Sequence, residues 1–340
     1  MASHPTKEPP SQRPVGQTVF LITAIGVAVV LIGGVTIWAQ WQSGRSRGAS
    51  GQDSGLTLEQ IPFNGARAYE YLKQLCEIGP RPSGSPGMTR QQEMLAEHFK
   101  KLGGEVQFQR FQYRHPVDGS AVPIGNLIVH WHPDRKERIL LCAHYDTLPY
   151  PMLDPVDPKG RFVGANDGAS GTALLMEMAH VIPDLETRYG IDFVLFDAEE
   201  FIFAESDRYF VGSEHFATQY VNQPHPYRYK WGVLVDMIAD ADLQIYQETH
   251  SLSWPKTRSL VHQIWATARR LGVREFIHRP KYAIRDDHIP LNVIAGISTC
   301  VLIDFDYPPW HTQGDTPDKC SAESLAKVGW VLWEWLKEVR

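Results

Sequence analysis

The segment from Arg138 to Asp146 reads RILLCAHYD: an unbroken apolar run that stops on a histidine and a carboxylate. A strand with one wet face alternates polar and apolar residues. A run without alternation belongs to a strand covered on both faces, in the middle of a sheet with helices on either side. The pattern recurs in IDFVLFDAEE (191–200), WGVLVDMIAD (231–240) and STCVLIDFD (298–306), each an apolar run closed by acids. Between these runs the period is helical, in GTALLMEMAHVI (171–182), GSEHFATQY (212–220), PKTRSLVHQIWATARRLG (255–272) and SAESLAKVGWVLWEWLKEV (321–339). NGARAYEYLKQLCEI (64–78) and MTRQQEMLAEHFKKLG (88–103) predict two earlier helices, the second stopped by Gly103-Gly104. VQFQRFQYR (106–114) alternates as an edge strand does, and GNLIVHWH (125–132) follows it as another strand. The expected fold is α/β: a three-layer α/β/α sandwich whose central sheet is mixed and mostly parallel, with antiparallel pairing among the early strands.

The 340 residues divide unevenly. Residues 1–17 form a polar, Pro-rich tail, and 18–39 are expected as a transmembrane anchor, on the run TVFLITAIGVAVVLIGGVTIW from Thr18 to Trp38 with no charge between Arg13 and Arg45. At about 1.5 Å per residue such a stretch spans a hydrocarbon core of about 30 Å. Trp38 and Trp41 stand where an interfacial aromatic belt lies. Residues 40–55 are expected as a flexible Gly/Ser linker, and 56–340 as one folded domain. Lys7 and Arg13 before the span nearly balance Arg45 and Arg47 after it. The folded domain lies wholly on the C-terminal side and is expected outside the cytoplasm, held by a single pass. A formal charge of −6 offers no basic footprint for nucleic acid. Cys76, Cys142, Cys300 and Cys320 have no C-x-x-C spacing and are expected as free thiols.

Ligand sites in sheets of this kind lie beyond the carboxyl ends of the strands. The polar residues fall there: His144 and Asp146 after the first run, Glu199 and Glu200 after the second, Asp236 after the third, and His311 beyond the fourth. Asp167 sits in GANDGASG, a glycine-rich turn opening a helix. A single histidine at a strand end is usually a hydrogen-bonded structural residue, and a single carboxylate is usually solvated. Five from separate elements (His144, Asp167, Glu200, Asp236, His311) are imidazole and carboxylate donors without thiolate, a set that suits zinc with an open position. Glu199-Glu200 after five apolar residues would put one carboxylate on each face of the strand end. There is no H-E-x-x-H, G-x-S-x-G, P-loop or strand-borne G-x-G-x-x-G.

GPRPSGS, HYDT, GANDGASG, DAEE, the aspartate of VLVDMIAD, RDDHIP and WHT occur in that order over residues 79–312. In these motifs the chain resembles the M28 zinc-aminopeptidase superfamily, and most of all its glutaminyl-peptide cyclotransferases. The resemblance implies one zinc held by Asp167, Glu200 and His311, Glu199 as general acid/base, and Asp236 with Asp286 as a hydrogen-bonded acidic pair. It implies that His144 and His288 line the site, and that Trp310, with Ile284 and Phe305, shapes an apolar mould. The implied activity is cyclisation of N-terminal glutamine to pyroglutamate with release of ammonia, with tolerance for glutamate open. In the aminopeptidase branch His144 and Asp236 help hold a second zinc bridged by Asp167, and the reaction is hydrolysis. Asp286 before Asp287-His288, and Trp310 before His311, favour the cyclases. FIFAESDRYF after Glu200 lacks the tryptophan that animal cyclases place there, which leaves one pocket wall unassigned. A third expectation is a membrane-anchored binding domain on a degenerate peptidase scaffold, which a complete ligand set disfavours.

Overall fold

The computed structural model describes residues 56–339. The anchor expected over 18–39 and the linker over 40–55 lie outside them, and no helix among the described residues is long and apolar enough to cross a membrane. Two helices come first, α1 (Gly65–Glu77) and α2 (Pro86–Lys101). Asn64 caps α1 by accepting from the Arg67 amide at 2.9 Å. Ser85 caps α2 from the Met88 amide at 3.1 Å, with Pro86 in the first turn. Gly103, at φ 94°, turns the chain out of α2, as its sequence predicts.

Next come β1 (Glu105–Arg114), β2 (Ala121–Trp131), β3 (Glu137–His144), α3 (Ala169–Met178), β4 (Gly190–Phe196), α4 (Val211–Asn222) and β5 (Arg228–Asp236). The chain closes with β6 (Ile245–Gln247), α5 (Thr249–Ser253), α6 (Pro255–Leu271), β7 (Phe276–Pro280), α7 (His288–Val293), β8 (Thr299–Ile303) and α8 (Ala322–Glu338). One sheet runs in the order β1-β2-β4-β3-β5-β8. β1, β2 and β4 pair antiparallel, while β4, β3, β5 and β8 pair parallel. The run that opened the sequence, β3, lies between β4 and β5 with both neighbours parallel. The short strands β6 and β7 form a separate pair that periodicity missed, since 3 and 5 residues carry too little pattern.

Because side chains alternate across a strand, β3 feeds two cores. Ile139, Leu141 and Ala143 join Phe193, Val235, Leu332 and Trp335 on one face. Leu140 and Cys142 join Phe196, Phe216, Leu234 and Leu291 on the other. Each such side chain contributes about 1.5–3 kcal/mol by leaving water. Every residue of α3 is buried, which fits a helix apolar all round, and Glu177 near its end is met by Arg67 at 2.6 and 2.7 Å. All four cysteines are buried and free.

At the amino ends of the parallel strands Arg138 and Asp192 form a buried pair, with bonds of 2.9 and 2.5 Å. The remaining acceptor capacity of Asp192 goes to Tyr229 at 2.6 Å and His130 at 2.7 Å. Burial pushes the Asp192 carboxyl up, but His130 and Arg138 outweigh it and hold it below its ordinary value. Its folded pKa being depressed, the stability it contributes is present above the ordinary carboxylate range and is lost as the pH falls below it. Removing one partner of such a pair strands a buried charge. Asp192→Ala is therefore expected to cost about 3–5 kcal/mol in urea unfolding at neutral pH and to flatten the acid limb of stability against pH.

Candidate metal centre and substrate cavity

β3 ends at His144, β4 runs into Asp197-Ala198-Glu199-Glu200, and β5 ends at Asp236. These parallel strands deliver their last side chains to one edge, where the turn before α3 adds Asp167 and the loop after β8 adds His311. His311 Nε2 lies 3.4 Å from Asp167 Oδ2 and 3.3 Å from Glu200 Oε2. His144 Nε2 lies 3.2 Å from Asp167 Oδ1 and 3.1 Å from Asp236 Oδ1. Asp167 therefore turns one oxygen to each imidazole.

A second tier of buried carboxylates fixes this first one. Asp146 accepts the amides of Glu199 at 3.1 Å and Glu200 at 3.2 Å, so one side chain orients both glutamates. Asp315 accepts the amides of Asn166 at 2.8 Å and Asp167 at 3.1 Å, and Tyr307 donates to it at 2.7 Å. Asp197 takes Ser83 at 2.6 Å and the Gly125 amide at 2.8 Å. Glu200 Oε1 accepts the Leu148 amide at 2.7 Å, leaving Oε2 for His311. Beneath the cluster is Arg81 of GPRPSGS, fully buried and donating to the carbonyls of Gly79 at 2.8 Å and Gly164 at 3.1 Å. The turn before α3 needs its glycines: at Gly168 φ is 92°, and a Cβ would meet the Asp146 carbonyl at 2.5 Å.

Backbone strain gathers here too. Ala198, Phe210, Met237 and His311 all have positive φ, at 58, 61, 45 and 57°. All four lie in or beside the site; His132, with φ 50°, is the only other such non-glycine residue among those described. Conformations of this kind cost about 1–3 kcal/mol each and persist where surrounding packing over-determines them.

The donors fit a zinc ion. Ligand atoms about 2.0–2.1 Å from a tetrahedral centre stand about 3.3 Å apart, close to both separations around His311. Asp167 Oδ2 and His144 Nδ1 are buried without a hydrogen-bond partner. One donor atom each from His144, Asp167 and Glu200 also falls within a 4.8 Å group, so both imidazoles border the same carboxylates. Burial lowers the pKa of His311, favouring the neutral ring a metal takes. Burial, with Glu200, Asp286 and Asp287 nearby, raises Glu199 well above the ordinary range, against the lowering effect of His144. Burial and Asp167 do the same to Glu200, while for Asp167 burial is outweighed by His144 and His311 and the net shift is downward. A divalent cation is the charge this cluster lacks.

The donors open onto a cavity of about 370 Å³. Glu199, with 12% of its side chain exposed, reaches it, as do Asp167, Glu200, Asp236, Asp286 and His311. Ile284, Phe305 and Trp310 line it as expected, and the ring centroids of Phe305 and Trp310 are 4.9 Å apart. Two expectations need correction. Neither His144 nor His288 lines the cavity. His144 is buried behind it between Asp146, Asp167 and Asp236, whose carboxylates outweigh burial and raise its pKa well above 6.5. His288, fully buried at the start of α7, faces Glu248 at 3.4 Å and the edge of Trp254. Nor do Asp236 and Asp286 bond directly. Asp236 is taken by His144, while Asp286 Oδ1 accepts the Asp287 amide at 2.6 Å and Oδ2 is unpartnered. Burial, Asp236 and Asp287 raise Asp286 well above its ordinary value, favouring the protonated acid.

The sequence reading missed Tyr209, Phe210, Met237 and Arg285, all lining the cavity. Tyr209 and Phe210 complete the wall left unassigned: the Phe210 amide bonds the Glu199 carbonyl at 2.8 Å, doubling the loop back on the strand end. The only signal for them was the aromatic pair closing FIFAESDRYF.

The model of peptidase family M28 matches residues 126–336. The crystal structure of Fimbriiglobus ruber glutaminyl cyclase is 40% identical with a TM-score of 0.78, covering 86% of this chain and 99% of that one. A leucine aminopeptidase precursor from Bacteroides thetaiotaomicron reaches a TM-score of 0.77 at 27% identity, covering 82% of this chain and 99% of its own. The glutaminyl-peptide cyclotransferase of Bos taurus is 24% identical over 292 residues, 76% of this chain and 78% of that one. On the family match, and on the cyclase that shares its fold and two-fifths of its residues, this chain belongs to peptidase family M28 and, within it, to the glutaminyl cyclases.

Proposed function

We propose that this chain cyclises the N-terminal glutamine of peptides to pyroglutamate and releases ammonia. The observation that carries the reading is one partly exposed carboxylate, Glu199, set beside a zinc-type donor group in a cavity whose apolar wall includes Ile284, Phe305, Trp310, Tyr209 and Phe210. Asp167, Glu200 and His311 would hold one zinc ion, which when bound supplies Lewis-acid polarisation of the γ-amide carbonyl.

The chain's own residues do the rest. The α-amine nitrogen attacks the γ-carbonyl carbon, so a C–N bond forms within the substrate and the bond to the amide nitrogen breaks. Glu199 takes the proton from the amine and returns it to the departing nitrogen, which leaves as ammonia. A carboxyl with a raised pKa suits both halves of that transfer near neutral pH. Asp286, held as the acid, offers a proton from its unpartnered Oδ2 to an oxygen or nitrogen of the folded substrate. Asp236 acts one step back, fixing His144. Attack is intramolecular, so the apolar walls need only fold the glutamine side chain back and keep water from the carbonyl.

One observation favours a second reading, the di-zinc aminopeptidase. Asp167 gives Oδ1 to His144 and Oδ2 to His311, the disposition of a carboxylate shared by two ions. Purified protein assayed on a Gln-peptide and a Leu-peptide, with bound zinc counted, separates the two. Ammonia release without hydrolysis at one zinc per chain is expected; leucine release at two zincs replaces this reading with the other.

Substitutions test the roles directly. Glu199→Gln is expected to keep its zinc and lose at least about 100-fold in kcat, the usual scale of a general acid/base. His311→Ala is expected to lose both zinc and turnover. Full turnover in Glu199→Gln removes the acid/base assignment.

We propose further that residues 18–39 anchor the chain in a membrane by a single pass and hold the catalytic domain outside the cytoplasm. The uncharged run Thr18–Trp38 supports this. Activity is expected in the membrane fraction after carbonate washing, and external protease is expected to release it from intact cells. Activity in the soluble fraction of cells expressing the full chain is the contrary result.

A further inference from the structure

Arg285 stands out among the residues lining the cavity because every other formally charged group there is a carboxylate: Asp167, Glu199, Glu200, Asp236 and Asp286. Two other cations, Arg208 of the loop that carries Phe210 and Lys281 four residues before Arg285, are already matched. Arg208 pairs with Glu214, and Lys281 meets Asp306 at 2.5 Å. The Arg285 guanidinium has no ion pair or hydrogen bond among the described residues; it lies over the Phe210 ring, 5.9 Å from the centroid.

Its backbone is tightly held. On one side the Ile284 amide donates to Glu248 Oε1 at 3.1 Å, the same buried carboxylate that caps α5 through the His250 and Ser251 amides at 2.6 Å each. On the other side the Asp287 amide donates to Asp286 Oδ1 at 2.6 Å. Phe210, on which the guanidinium rests, is fixed by its bond to the Glu199 carbonyl. With its backbone held and its guanidinium facing solvent without an acidic partner, Arg285 offers a planar fork of donors that matches a carboxylate. Arg285 is exposed, while its neighbours Ile284 and Asp286 are buried in the wall, so the cation stands at the mouth and the carboxylates stand inside.

We propose that Arg285 is a specificity-determining residue that receives a carboxylate carried by the residue following the substrate's N-terminal glutamine. The inference rests on the cyclase reading above. With glutamine folded inside, the next residue leaves through the mouth, past Arg285. An acidic group there is drawn to the guanidinium, whereas deeper in the site it would face five carboxylates. The carboxylate is either an acidic side chain at the second position or the free terminus of a dipeptide.

The test compares KM for three substrates: Gln-Ala amide, Gln-Glu amide and Gln-Ala with a free carboxylate, in the zinc-loaded full-length protein. At low salt a two- to fivefold lower KM for a carboxylate-bearing peptide over the neutral one is expected, about the scale of an exposed ion pair. The ratio should shrink towards one in high salt, vanish in Arg285→Gln and return in Arg285→Lys. An advantage for Gln-Glu amide alone assigns the side-chain source, and one for free Gln-Ala alone assigns the terminus. A ratio of one in the wild type, or one that persists in Arg285→Gln, overturns the inference while leaving the cyclase standing. Ammonia release from none of the three overturns the cyclase reading and the inference with it.

Discussion

Like charges crowded together out of water are the constraint around which the molecule is arranged. Asp146, Asp167, Glu199, Glu200, Asp236, Asp286 and Asp315 converge at the carboxyl edge of β3, β4 and β5, all but Glu199 buried. In a low-dielectric interior such neighbours repel strongly, and each loses its hydration as well. The protein answers by giving most of them backbone amides. Asp146 and Asp315 spend their oxygens on the chain that carries Glu199, Glu200 and Asp167. Outer carboxylates thus become scaffolding, and the inner ones are left with lone pairs pointing at a common space. Arg81 adds a fixed positive charge from below. The inner set remains short of positive charge, which is the physical case for a divalent ion.

The same edge concentrates the strained backbone. Ala198 precedes the glutamate pair, Met237 follows Asp236, His311 is itself a donor, and Phe210 is the wall. Ala198, Phe210 and Met237 stand just outside the ends of β4, α4 and β5, and His311 lies in the turn that carries it to Asp167 and Glu200. The two cores flanking β3 supply the rigidity that holds these turns, so the apolar run and the strained polar edge are parts of one device. Destabilisation at the edge is sustained by burial along the strands.

How much of this could be read in the sequence follows from the range of each signal. Apolar runs ending in acids were legible because strand length and burial are local, and the ends of parallel strands all face one way. Glu200 and Asp236 follow from that logic, Asp167 from the glycine-rich turn before α3 and His311 from its place beyond the fourth run. His288 does not line the cavity, because adjacency in RDDHIP does not say which face of the first turn of α7 carries its ring, here the one towards Glu248. The Asp236–Asp286 contact failed for a related reason: sequence names the carboxylates near a site but not which of them an imidazole has already taken. Tyr209, Phe210 and Arg285 sit in segments without periodicity, where position is set by bonds to residues of other elements, such as the Phe210 amide to the Glu199 carbonyl and the Ile284 amide to the Glu248 carboxylate.

Cyclisation and hydrolysis ask nearly the same of the metal donors and of the general base, so the donors discriminate poorly between them. They differ in what the rest of the cavity must exclude. A hydrolase must admit a water between base and carbonyl; a cyclase must put the substrate's own amine in that place and keep water out. The aromatic wall of Trp310, Phe305, Tyr209 and Phe210 is therefore the part of the site that carries the distinction. Trp310 stands in the WHT motif and Phe305 at the end of the fourth apolar run, whereas the places of Tyr209 and Phe210 depend on how the loop after Glu200 folds back. A tryptophan at the customary position is not required for such a wall. A loop doubled back on the strand end, held by the Phe210 amide on the Glu199 carbonyl, the Val211 amide on the Ala198 carbonyl and a residue in the left-handed region, supplies Tyr209 and Phe210 to the cavity wall.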